Sequence, residues 1–96
     1  MDDETLIEIT NGSRFYRNKF GQYHRLDGPA IEYADGSEEW WQYGKYHRLD
    51  GPAVEIGDYK AWWKNGRQFR DKDSFFESLT EAEKEIAIFS EDFLNG

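Results

Sequence analysis

The chain has no cysteine, so neither a disulfide framework nor a thiolate metal site adds to its stability, and the redox compartment is left open. It has no apolar run near the roughly 20 residues that cross a bilayer. The start Met1-Asp2-Asp3-Glu4 lacks the positive stretch of a secretory signal, which predicts a cytoplasmic protein. Basic residues are also short, 12 Lys and Arg against 20 Asp and Glu, a formal net charge of −8. Such a surface repels phosphate backbones, so direct nucleic-acid binding is not expected; a basic protein partner is favoured. At 96 residues the chain has room for one domain with a modest core.

Aromatics are abundant: four Trp, six Tyr and seven Phe, more than a thin core obviously needs. The negative charge is uneven. Asp2, Asp3, Glu4 and Glu8 open the chain, and Glu77, Glu81, Glu83, Glu85, Glu91 and Asp92 face only Lys84 at its end. A third group, Glu32, Asp35, Glu38 and Glu39, lies between them.

The octet Tyr-His-Arg-Leu-Asp-Gly-Pro-Ala occurs unchanged at 23–30 and 46–53. Its glycine-marked period, 23 residues from Gly21 to Gly44 and 22 from Gly44 to Gly66, is too short for two packed helices and fits one hairpin with its connection. Three hairpins are predicted, around Asn11-Gly12, Asp35-Gly36 and Gly57-Asp58. A two-residue Asp35-Gly36 turn sets Tyr33 opposite Glu38, Ile31 opposite Trp40 and Glu32 opposite Glu39, with Ile31, Tyr33 and Trp40 inward and both glutamates in water. The second unit is one residue shorter. A Gly57-Asp58 turn puts Val54 and Ile56 on the face of Ala61 and Trp63, whereas a bulged Gly57-Asp58-Tyr59 turn selects Trp62, and both stand open. In each Trp doublet one ring is expected in the core and the other on the opposite face, which leaves Trp41 and Trp63 as candidates for partner binding with Glu32, Asp35, Glu38 and Glu39.

Within the octet, Asp27-Gly28-Pro29 and Asp50-Gly51-Pro52 combine a self-capping side chain, a residue free to take positive φ and a fixed ring, a rigid turn. His24 and Arg25, like His47 and Arg48, are placed to bond the turn carbonyls or the neighbouring aspartate. A metal site of His24, Asp27, His47 and Asp50 would require histidines 23 residues apart to converge, and no nucleophile constellation accompanies them. No metal, cofactor or catalytic residue is therefore expected.

After Gly66 the residue types turn to helix formers. Asp73 is expected to cap a short helix through Leu79, and the Thr80/Glu83 capping box a second one to about Ser90. Its stripe, Ala82, Ile86 and Phe89 with Phe93 beyond, needs a partner, for which the open face or edge of the sheet is the expectation. The predicted fold class is mainly β (α+β): serial antiparallel hairpins over 1–70 forming a twisted sheet, capped by one or two short helices over 71–96, in a single domain.

The run Trp40-Trp41-Gln42-Tyr43-Gly44-Lys45-Tyr46-His47-Arg48-Leu49-Asp50-Gly51-Pro52-Ala53, met again in part by Trp62-Trp63-Lys64-Asn65-Gly66-Arg67, resembles MORN-type hairpin repeats. It is closest to the His-Arg-x-Asp-Gly-Pro-Ala variant common in small proteins of tailed bacteriophages and some bacteria. Two positions depart from the pattern: Tyr43 stands where Asn is usual, and Gln68-Phe69-Arg70-Asp71 replaces a third connector. The resemblance implies a sheet used for protein contacts, sometimes lipid contacts, and supplies no catalytic residues; lipid binding suits the negative surface poorly. By analogy with small acidic phage proteins, the leading expectation is a non-enzymatic inhibitor that occupies the nucleic-acid-binding surface of a host or defence complex, in the manner of an anti-CRISPR protein. A structural or assembly module of virion or host cell, with self-association open, is one alternative. A carbohydrate-binding module using an exposed Trp is the other.

Overall fold

A computed structural model describes residues 5–96, a mixed fold of antiparallel strands followed by helices. The strands are β1 (Leu6–Thr10), β2 (Ser13–Arg17), β3 (Ile31–Glu32), β4 (Glu38–Glu39), β5 (Trp41–Gln42), β6 (Lys45–Tyr46), β7 (Val54–Ile56), β8 (Tyr59–Lys64) and β9 (Arg67–Phe69). Three helices follow, α1 (Lys72–Glu77), α2 (Glu81–Ile88) and α3 (Glu91–Asn95). One sheet runs β1-β2-β3-β4-β7-β8-β9, and β5 pairs with β6 beside it.

Turn chemistry explains the hairpin joints. Asn11 and Gly12, Tyr43 and Gly44, and Asn65 and Gly66 all have positive φ, each pair closing a two-residue loop. These are the conformations that let a short turn follow the twist of its strands. Gly57-Asp58 is also a two-residue loop, since Ile56 faces Tyr59 and Val54 faces Ala61. That excludes the bulged alternative and puts Val54, Ala61 and Trp63 on one side of the strand pair.

The first octet's hairpin departs from expectation. Ile31 faces Glu39 and Glu32 faces Glu38, while the Tyr33 N–H donates to the Ser37 carbonyl. The loop is Ala34-Asp35-Gly36, three residues, with positive φ at Gly36 alone. A type I turn closed by a left-handed glycine accommodates this count and shifts the register by one. Glu39 is consequently buried, not exposed as the two-residue turn required.

The core lies where the helices meet β8 and β9: Trp62, Phe75, Leu79, Ala87 and Phe93, with Leu49, Phe69 and Phe76 at its margin. The cap of α1 is Asp71, not Asp73, with Oδ1 accepting from the Ser74 N–H at 2.8 Å. Thr80 and Glu83 form a reciprocal capping box on α2. The chain breaks at Phe89 and restarts at Ser90, the cap of α3, making three helices. The expected stripe does not hold: within α2 the buried residue is Ala87, while Ala82 and Ile86 are exposed, and beyond the break Phe89 is exposed and Phe93 buried. A 3.6-residue period does not carry across a turn that re-aims the axis.

Candidate functional site

The two octets bind their surroundings through the same atoms. His24 Nδ1 accepts the backbone N–H of Tyr43, and His47 Nδ1 that of Asn65, both at 3.0 Å. Each acceptor thereby holds a non-glycine residue at φ near 51°, a conformation that costs an L-residue roughly 1–2 kcal/mol. Burial lowers the pKa of both imidazoles, with Lys64 adding to the effect at His47 against an opposing pull from Glu83. Neutral imidazole is the form that leaves Nδ1 able to accept.

The arginines close the turns. Arg48 donates from Nε to Asp50 at 2.8 Å and from Nη1 to the Pro52 carbonyl at 3.1 Å, with its guanidinium 3.8 Å over the Trp40 ring. Arg25 does likewise with Asp27 and the Pro29 carbonyl, both at 3.2 Å, and lies 4.1 Å over Tyr16. The Asp-Gly-Pro glycines were expected to supply positive φ, and neither Gly28 nor Gly51 does. They supply space: a β-carbon would stand 2.8 Å from Arg25 Cζ at Gly28 and 2.6 Å from Arg48 Cζ at Gly51.

The Trp doublets divide their rings. Trp40 carries Arg48 and Trp62 lies in the helical core, whereas Trp41 and Trp63 join a row of half-buried rings. The row runs from Tyr23 to Trp41 at 5.4 Å, to Tyr46 at 4.0 Å and to Trp63 at 4.9 Å between centroids. Phe15 and Tyr33 extend it beyond Tyr23. Glu39 is its anchor, accepting from Trp41 Nε1 at 3.0 Å, the Tyr33 hydroxyl at 3.1 Å and the Tyr46 hydroxyl at 3.3 Å. Burial, then the charge and hydrogen bond of Glu39, push the Tyr33 phenol up to about 12, and the same causes raise Tyr46.

The middle acidic group does not form one patch. Glu39 belongs to the aromatic row, and Asp35 is spent within its loop, its Oδ1 accepting from Ser37 N–H at 2.8 Å, which lowers its pKa. Glu32 and Glu38 face each other, and Glu38 faces Glu55 on its other side, a ladder of three carboxylates. Glu55 was not singled out from the sequence because only the β4–β7 pairing brings it there. Arg14 and Arg25 approach Glu32 at 3.5 and 3.4 Å. Burial and then Glu55 raise the Glu38 carboxyl.

Among the described residues no group of three His, Cys, Asp or Glu could hold a metal ion. Comparison with protein-family models, curated proteins and solved structures gave no match to this chain.

Proposed function

We propose that the protein is a non-enzymatic binding module whose working surface is the aromatic row Tyr23, Trp41, Tyr46 and Trp63, and that its ligand is a carbohydrate. The observation that carries this reading is a partly exposed line of four rings, spaced 5.4, 4.0 and 4.9 Å apart, the middle two of which, Trp41 and Tyr46, both donate to Glu39. Rings of this kind offer apolar area with polar edges, suited to the mixed faces of a sugar. Because Trp41 and Tyr46 are already oriented, little side-chain entropy remains to be lost on binding.

A glycan array followed by calorimetry on the hits tests the reading. Trp63→Ala should weaken binding about 5- to 150-fold, from the roughly 1–3 kcal/mol that stacking on one aromatic contributes in related settings, while the fold persists. No glycan bound, or equal binding by the Trp63 variant, would overturn it.

The carboxylate ladder Glu32–Glu38–Glu55 and the net charge of −8 support a second reading, an inhibitor seated on a basic surface that ordinarily holds nucleic acid. The MORN-type resemblance of the octets leans the same way, toward protein contacts. On that reading a captured partner is released by added salt and by excess DNA or RNA; insensitivity to both would reject it.

A further inference from the structure

The same eight residues meet two different environments. In the second octet three groups face the C-terminal helices: Arg48 Nη2 donates to Asp92 at 2.6 Å, the Asp50 carbonyl accepts from the Ser90 hydroxyl at 2.9 Å, and Leu49 packs at the core margin. In the first octet the internal bonds of the arginine recur, with one addition, Nη1 to Glu32 at 3.4 Å. The outer contacts do not recur. Among the described residues nothing is hydrogen-bonded to Arg25 Nη2 or to the Asp27 carbonyl.

Exposure reports the same contrast. The side chain of Arg48 is 3% exposed and that of Arg25 25%; Asp50 is 39% exposed and Asp27 88%. Leu26 is 60% exposed where Leu49 is partly buried. The turns are alike, and the difference is a cover. Beside the first octet lies a groove of about 560 Å³ lined by Thr5, Ile7, Tyr16 and His24 together with Arg25, Leu26 and Asp27.

We propose that the first octet is a docking site for a segment of another protein that carries a hydroxyl two residues before a carboxylate, as Ser90 and Asp92 do. The carboxylate pairs with Arg25 Nη2, the hydroxyl donates to the Asp27 carbonyl, and an apolar side chain of the segment covers Leu26 and enters the groove toward Ile7. The chemistry is that of the cover on the second octet, where a guanidinium fixed on an aromatic ring offers its outer nitrogen to an acid. One feature does not transfer. Phe93 rests on Trp62, but the corresponding ring at the first octet, Trp40, already carries Arg48. The segment's apolar residue is therefore seated on Leu26 and not under an indole. This site is separate from the aromatic row and stands whether or not that row binds sugar.

The probe is the acetylated, amidated peptide of residues 89–96, titrated into the full-length chain labelled with nitrogen-15. Saturable amide shifts are expected at Leu26, Asp27, Gly28 and Ile7. The D92N peptide should bind at least tenfold more weakly, in keeping with loss of a charge-assisted bond. Leu26→Ser, an exposed change that leaves the turn intact, should weaken the native peptide severalfold, and Arg25→Lys about tenfold. No saturable shift, or shifts confined to residues 48–51 and the helices, where the peptide merely exchanges with the chain's own cover, would overturn the proposal.

Discussion

Gly51 leaves open the space that the Arg48 guanidinium fills: a β-carbon there would stand 2.6 Å from Arg48 Cζ. The glycine is required by a neighbour, not by its own φ. Gly51→Ala should cost about 1–3 kcal/mol, the range for forcing an extra methyl into a packed site, and toward its upper end because Arg48 is buried and held by three acceptors. Gly28→Ala meets Arg25, which is more exposed and can yield, so its cost should be smaller. Denaturant unfolding of the two variants compares them directly, and equal costs would contradict the packing argument.

Stability should fall on the acid side of neutrality. His24 and His47 have pKa values lowered by burial, so the unfolded chain binds protons first. Their contribution is complete above the ordinary value of about 6.5 and is lost as pH falls from there through the lowered folded values. His24→Asn and His47→Asn, which keep an acceptor but do not titrate, should flatten the curve in that window. Glu38 works in the opposite sense, since its raised folded pKa means that protonation favours the folded state as pH approaches 4.5 from above. Glu38→Gln should therefore steepen the acid-side loss. Unfolding midpoints measured from pH 4 to 8 check both.

Glu39→Gln keeps the shape of the side chain but removes the charge that three donors share. A loss of about 1–3 kcal/mol is expected, as for a buried charge-assisted network. With the charge gone, the Tyr33 phenol should titrate below its value of about 12, moving toward the ordinary 10. Ultraviolet difference titration of the phenolates reads this, and an unmoved transition would show that burial alone sets it.

The two members of the second doublet should separate stability from binding. Trp62→Ala opens the helical core and should cost about 3–5 kcal/mol, with loss of the near-ultraviolet signal of Phe75 and Phe93 packing. Trp63→Ala should cost less, because its ring is only partly buried and lies outside the helical core. Comparable losses would place both rings in the core.

Some of this architecture was legible in the residues because the deciding interactions are local. Asn11-Gly12 reaches its left-handed turn, and Thr80 and Glu83 close their capping box, within four consecutive residues. Asp35-Gly36 carried the same kind of signal and misled, since glycine serves the last place of a three-residue loop as readily as the second of a two-residue one. That single residue moved Glu39 from solvent to the aromatic row. Asp71 took the cap expected of Asp73, and the break at Phe89 left that ring outside while Phe93 turned inward. Periodicity assumes one uninterrupted axis, which α2 and α3 do not share.

The octets mark the boundary between what the amino-acid sequence determined by itself and what only the tertiary structure decided. The internal clasp, arginine to aspartate and to the proline carbonyl across the glycine, recurs in both because it is written within five residues. The covering of one and the exposure of the other follow from Asp92, 44 residues beyond Arg48 in the chain. Identical segments have identical local preferences, so the difference between them comes from the chain outside the octet, which among the described residues folds its C-terminal helices back on the second and not on the first.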